Sequence, residues 1–188
     1  VGRVTVHAVG PGGWAQRGAT LESTVAGDAF GASVALDAAG TTLAVGAPKS
    51  RNDDDHTPWS GRVVVYTWSG QSWQQRGGVV RTSRRLCRLG ASVALSADGR
   101  TLAVAGAGRY ESYPSHHSED PSHGVAQVHV WSDGDGLAHG GGGGAWSQRG
   151  GDFDGTPGGH GSAAVGGRAA SGRWRRWTAS SAGEGRGT

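Results

Sequence analysis

The stretch Gly27 to Pro48, GDAFGASVALDAAGTTLAVGAP, decides how the rest of the chain is read, because Leu89 to Gly108, LGASVALSADGRTLAVAGAG, repeats it. Ser33-Val34-Ala35-Leu36 returns as Ser92-Val93-Ala94-Leu95 and Leu43-Ala44-Val45 as Leu102-Ala103-Val104, both 59 residues later. A long fixed period marks a repeat architecture whose units stack on one another. Within each copy Val34 and Leu36 share one side of a strand and Leu43 and Val45 one side of the next. Asp37-Ala38-Ala39-Gly40, or Ser96-Ala97-Asp98-Gly99, supplies the turn between them, so each copy predicts a β-hairpin. The other sides carry Ala35, Ala44, Ala94 and Ala103, which suits close sheet stacking rather than a solvated face.

Outward from the hairpins a second pair of strands recurs. Gly2 to Val9 and Trp14 to Gly18 flank the turn at Gly10 to Gly13; Gly61 to Trp68 and Trp73 to Gly77 flank Ser69-Gly70; Gly124 to Trp131 and Trp146 to Gly150 flank a longer insert. Each pair ends on Trp-x-Gln-Arg-Gly. The full unit is then four strands: Ser33 to Leu36, Thr42 to Gly46, Arg62 to Trp68 and Trp73 to Gly77. In the third, Val63 and Val65 lie on one face and Val64, Tyr66 and Trp68 on the other, so the sheet needs an apolar neighbour on each side. The chain divides into the last two strands of a partial unit (1–26), a complete unit (27–85), a second unit with long loops (86–150) and a degenerate repeat with a low-complexity tail (151–188). Phe153 and Gly159 to Val165 stand where Phe30 to Val34 would open another unit; disorder is expected beyond Gly166, and the glycine-rich insert 133–145 is expected to widen the turn before Trp146 and to be mobile.

The order Phe30-Gly31-Ala32-Ser33-Val34-Ala35-Leu36, Leu43-Ala44-Val45-Gly46-Ala47-Pro48, Gly61-Arg62-Val63-Val64-Val65-Tyr66 resembles the FG-GAP repeat that builds the seven-bladed propeller of integrin alpha subunits. It is more similar to bacterial and algal relatives with Trp-x-Gln-x-Gly after the tyrosine strand. The resemblance spans residues 2–150; in the second unit Arg88-Leu89-Gly90 replaces the Phe-Gly start and Gly106-Ala107-Gly108 replaces Gly-Ala-Pro. It implies an all-β fold, a fragment of a β-propeller with four-stranded antiparallel blades. It also implies a surface or extracellular adhesion module that binds protein partners through exposed loops; the aromatics and carboxylates of the loops in this sequence suit a protein or glycan partner. Many members of the family hold structural calcium in an acidic loop between the first two strands. Here that turn has one carboxylate, Asp37 or Asp98, against the 6 to 8 oxygen ligands calcium takes, so the site is not expected and no cofactor is assigned.

Composition narrows the function classes. Gly accounts for 37 of 188 residues and hydrophobic residues for 35%, a thin supply for one large core. A net charge of +3 from 18 basic and 15 acidic residues does not mark the whole chain as a nucleic-acid binder; Arg173-Trp174-Arg175-Arg176-Trp177 is the local basic and aromatic patch that could meet nucleic acid or an anionic membrane, and neither partner is expected. Cys87 is the single cysteine, so no intrachain disulfide forms, and a buried free thiol is expected. No apolar run has transmembrane length, no signal-peptide pattern opens at Val1, and the absence of Met points to a fragment or processed chain.

The variable, polar parts of the units are the connections between second and third strands. They carry Asp53, Asp54, Asp55 and His56 in one unit and Tyr110, Tyr113, His116, His117 and Asp120 in the next, and these residues are the expected interaction site. Asp53 and Asp55 are weak candidates for a divalent ion, and His116, Asp120 and His123 for zinc; solvated acidic and histidine-rich loops are the competing reading. An enzyme is not expected. Ser33, Ser92 and Ser162 lack the Gly-x-Ser-x-Gly elbow, no glycine run opens a helix, and Cys87 has no histidine nearby in sequence. The expected function is a non-catalytic propeller repeat module for protein binding or adhesion. The alternative is a structural repeat segment of a larger, possibly enzymatic protein with no activity of its own. On either reading the chain is expected to need the remaining blades or self-association for stability.

Overall fold

The computed structural model describes residues 1–51, 59–108, 124–134 and 144–154, and every regular element among them is a β-strand. In chain order these are β1 (Arg3–Val4), β2 (His7–Gly10), β3 (Gly13–Gln16), β4 (Leu21–Glu22), β5 (Ser33–Leu36), β6 (Thr42–Ala47) and β7 (Arg62–Trp68). They continue as β8 (Trp73–Gln75), β9 (Val80–Arg81), β10 (Ser92–Leu95), β11 (Thr101–Gly106), β12 (Val125–Ser132), β13 (Ala145–Gln148) and β14 (Phe153–Asp154). The sheet β5-β6-β7-β8 is antiparallel throughout, as is β10-β11-β12-β13. The two hairpins keep one register: Val34 opposes Val45 and Leu36 opposes Leu43, while Val93 opposes Val104 and Leu95 opposes Leu102.

Each sheet has a further two-residue strand that four-strand reasoning does not anticipate. β9 pairs with the start of β7 (Val63 with Val80), and β14 pairs with the start of β12 (Ala126 with Phe153). At the N-terminus two separate two-stranded sheets take these places: β4 stands in the same way to β1 (Val4 with Leu21), and β2 pairs with β3. The fourth strand of each unit is therefore broken in two by the Arg-Gly of Trp-x-Gln-Arg-Gly. Phe153 occupies the place of Val80 and Leu21 and completes the second sheet, rather than opening a further unit as its match to Phe30 suggested; pairing with Ala126 outweighs the local motif.

The core lies between sheets. Val63, Val65 and Ala44 point to one side and pack with Val93, Leu102, Val104, Leu89, Cys87 and Val125 of the second unit. Val64, Leu43, Val45 and Trp73 point to the other side and pack with Val4 and Phe30, flanked by Tyr66, Trp68, Val6 and Leu21. The two-sided alternation of β7 thus serves two interfaces, and a strand pleat delivers it because successive side chains leave on opposite faces. Leu89 fills the position of Phe30 and is fully buried, so the second unit starts the same way with a smaller side chain.

Candidate interaction site

The long connections leave from equivalent strand ends. β6 and β7 finish on the pair Ala47 and Arg62, and β11 and β12 on the pair Gly106 and Val125. Asp53, Asp54, Asp55 and His56 lie outside the described residues, as do Tyr110, Tyr113, His116, His117, Asp120, His123 and the segment Arg173 to Trp177. What the described residues form is the base of the first connection. The Gly61 amide donates to the Ser50 carbonyl (3.1 Å), the Leu89 amide to the Ser60 carbonyl (2.8 Å) and the Arg88 amide to the Trp59 carbonyl (3.0 Å), with the Arg88 guanidinium 5.4 Å from the Trp59 ring. The crossover into the second unit therefore clamps the base.

Beneath this rim the two units use opposite chemistry in one place. Asp28 is buried and accepts hydrogen bonds from Ser23 Oγ (2.5 Å), the Phe30 amide (3.0 Å) and Arg62 Nη2 (2.8 Å). Its counterpart, 59 residues on, is Cys87, and the counterpart of Arg62 at the start of β12 is Val125; both belong to the apolar cluster. Cys87 donates its thiol proton to the Ser60 carbonyl (3.2 Å), and burial pushes its pKa above the ordinary value, which opposes thiolate chemistry.

At the opposite end of the sheets the Trp-x-Gln-Arg-Gly motif forms a joint that the structure repeats. Arg17 Nη1 donates to the Gly40 carbonyl (3.0 Å) and its guanidinium lies 4.8 Å from the Trp68 ring, while Trp73 Nε1 donates to the Arg17 carbonyl (2.9 Å). One unit on, Arg76 Nη1 donates to the Gly99 carbonyl (3.2 Å), its guanidinium lies 4.5 Å from the Trp131 ring, and Trp146 Nε1 donates to the Arg76 carbonyl (3.0 Å). Gly18 (φ 81°) and Gly77 (φ 72°) take a left-handed conformation, and a Cβ there would come within 2.6 Å of Trp68 and 2.7 Å of Trp131. Each unit thus reaches over the next unit's tryptophan pair and caps its hairpin turn. The joints leave open grooves of about 400 Å³ and 340 Å³ lined by matching positions, including Arg17 and Trp68 in one and Arg76 and Trp131 in the other. The sequence displayed the motif three times, but read it as strand, because the partners of Arg and Gly belong to another unit.

The second unit adds a polar cluster where the first is apolar. Asp152 Oδ1 accepts from Gln127 Nε2 (2.9 Å) and Gln148 Nε2 (2.8 Å), and Asp152 Oδ2 from Arg84 Nε (3.0 Å). Burial opposes ionisation of Asp152, but the hydrogen bonds from Gln148 and Gln127 and the charge of Arg84 outweigh it and hold the carboxyl below its usual range. Gln127 Oε1 sits 3.1 Å from Nε2 of His129, and the buried Nδ1 of that ring has no hydrogen-bond partner among the described residues. Burial depresses the His129 pKa, against the attraction of Asp152.

The hairpin turns are closed by their own side chains. Asp37 accepts from the Thr41 amide (2.7 Å) and hydroxyl (3.0 Å), whereas in the next unit Ser96 Oγ accepts from the Thr101 amide (2.9 Å) and Asp98 from the Arg100 amide (3.0 Å). Among the described residues no three His, Cys, Asp or Glu side chains gather where a metal would be held, and no helix is long and apolar enough to cross a membrane. No protein-family model matches the chain, and no curated protein matches it.

Proposed function

We propose that this all-β repeat chain is a non-catalytic interaction module, built as propeller blades of the FG-GAP type and binding a protein or glycan partner outside the cell or at its surface. The observation that carries this reading is the shared register of the two strand ends, Ala47 with Arg62 and Gly106 with Val125, which sends both long connections out from the same end of stacked sheets. A clamped base beneath variable polar connections is how a rigid scaffold presents a binding surface. Aromatic and acidic residues together, Tyr110 and Tyr113 with Asp53 to Asp55, suit a protein or glycan rather than a phosphate backbone.

The test replaces Asp53, Asp54 and Asp55 by Ser and, separately, deletes residues 110–120. Attachment of the labelled chain to cells and to a glycan array is then scored against the parent. Weakened attachment with unchanged far-ultraviolet dichroism is the expected result. Full attachment with both connections altered places the surface elsewhere and overturns the reading.

A further inference from the structure

The two grooves at the joints differ in one group. In the second, Asp133 stands two residues after Trp131 and shares the groove with Arg76, whose guanidinium is 4.5 Å from the Trp131 ring. Asp133 Oδ1 accepts from Trp131 Nε1 (2.7 Å) and Oδ2 from Arg100 Nη2. The hydrogen bonds from Arg100 and Trp131, with the charges of Arg100 and Arg76, hold the Asp133 carboxyl below its usual range. In the first groove the same pair is present, with the Arg17 guanidinium 4.8 Å from the Trp68 ring, but the residue two after Trp68 is Gly70. A Cβ on Gly70 would meet nothing within 4 Å. Among the described residues Trp68 Nε1 is neither buried nor hydrogen-bonded, and Arg17 makes one side-chain hydrogen bond, to the Gly40 carbonyl, and no ion pair. The acceptor that the chain supplies to itself in the second groove is missing from the first.

We propose that the groove of Arg17 and Trp68 binds an acidic side chain, aspartate or glutamate, of a partner protein, at the place that the Asp133 carboxylate fills one unit on. The occupant is identified by that internal contact, which shows what an indole N–H beside this guanidinium accepts. Both groups only donate, so an anion satisfies them together, and hydrogen bonds to an ionised acceptor are the stronger kind. The Trp68 ring already lies against Arg17 and is packed with Trp73 (5.3 Å), so it offers a ligand its N–H edge rather than a face on which a sugar would stack. The floor of the groove is apolar: Ala8 and Ala15 oppose each other across β2 and β3, where the second groove carries Thr67. An apolar side chain next to the acidic one fits this floor, and a sugar acid brings none. One carboxylate and one neighbour make a weak, reversible contact. The surface lies at the other end of the sheets from the long connections, and the inference does not rest on them.

Heteronuclear NMR of the full chain tests this through the indole N–H resonances, with Trp68→Phe and Trp131→Phe assigning the two signals. The probes are acetyl-Leu-Asp-Gly-amide, its neutral match acetyl-Leu-Asn-Gly-amide, and methyl glucuronide. The aspartyl peptide should shift the Trp68 signal saturably and leave that of Trp131 in place. The asparaginyl peptide and the glucuronide should each bind about tenfold more weakly, as should the aspartyl peptide to Arg17→Gln. Asp133→Gly, which copies Gly70, should make the Trp131 signal respond to the aspartyl peptide as well. Far-ultraviolet dichroism checks that Arg17→Gln stays folded; if it does not, the three probes on the parent decide. The proposal is overturned by a Trp68 signal that no aspartyl peptide moves, or by an asparaginyl peptide or a glucuronide that binds as tightly, the last assigning the groove to a glycan. It is equally overturned by a parent Trp131 signal that moves with that of Trp68, by a folded Arg17→Gln that binds as the parent does, or by a Trp131 signal that stays in place in Asp133→Gly.

Discussion

Asp28 and Arg62 in one unit, and Cys87 and Val125 in the next, show one backbone position supporting either a buried ion pair or an apolar pair. The side chain of Asp28 is fully buried and that of Arg62 is 12% exposed, so removing one partner strands a charge away from water. Such a loss costs about 3–5 kcal/mol, whereas replacing both partners by packed apolar groups is often neutral. Asp28→Ala is therefore expected to lower the urea midpoint strongly. The double variant Asp28→Cys/Arg62→Val, which copies the second unit, should recover most of the loss, and a double variant no better than the single would show that the two units do not share this packing.

At the scale of the element, β12 differs from β7 by carrying Gln127 and His129 where β7 carries Val64 and Tyr66. Val64 and Tyr66 meet apolar partners, whereas Gln127 and His129 meet Asp152, which stands two residues after Gly150 as Val79 stands two after Gly77. The strand address is kept and the chemistry changes in step on both strands. This has a pH consequence. Burial lowers the folded pKa of His129 beneath its ordinary value of 6.5, so below about pH 6.5 the unfolded chain binds a proton that the folded chain does not, and stability is lost as the pH is lowered. The carboxyls of Asp37, Asp98, Asp133 and Asp152 are also held low; their stabilisation is present above their ordinary value of 3.8 and is lost only as pH falls beneath it. Denaturant midpoints of the parent should thus decline in two windows. His129→Gln should flatten the upper window and leave the lower one; an unchanged upper window would assign it to another group.

Across the whole molecule, residues at one repeat position are buried or exposed according to what stands beside the unit. Val34 is 52% and Leu36 46% exposed, while Val93, at the equivalent position, is 8% exposed and Leu95 half-buried. The difference is a neighbour: β10 lies against β5 and β6, whereas among the described residues the two-stranded sheets β1-β4 and β2-β3 include no hairpin that lies against β5 in this way. Removing two methyl groups from a packed site costs about 1.5–3 kcal/mol, and a surface truncation stays within about 0.5 kcal/mol. Val93→Ala should therefore destabilise by the larger amount and Val34→Ala by the smaller, read from equilibrium unfolding at a concentration where the chain is monomeric. Equal losses would mean that Val34 is covered in solution.

The sequence by itself determined the hairpins, their turns, the third and fourth strands and the two-sided alternation of β7. All of these follow from side-chain period and turn chemistry acting over a few residues, and the 59-residue offset copied them from unit to unit. Tertiary structure decided the rest. It broke the fourth strand at Arg-Gly, placed Phe153 beside Ala126, and gathered Gln127, His129 and Asp152. It also joined Trp73 to Arg17, 56 residues away, and Trp146 to Arg76, 70 residues away. These contacts cross from strand to strand or from one stacked unit to the next. No local period encodes them, because which surfaces meet is settled by the packing of whole sheets, and a motif such as Trp-x-Gln-Arg-Gly shows its purpose only when the neighbouring unit's tryptophans are in place.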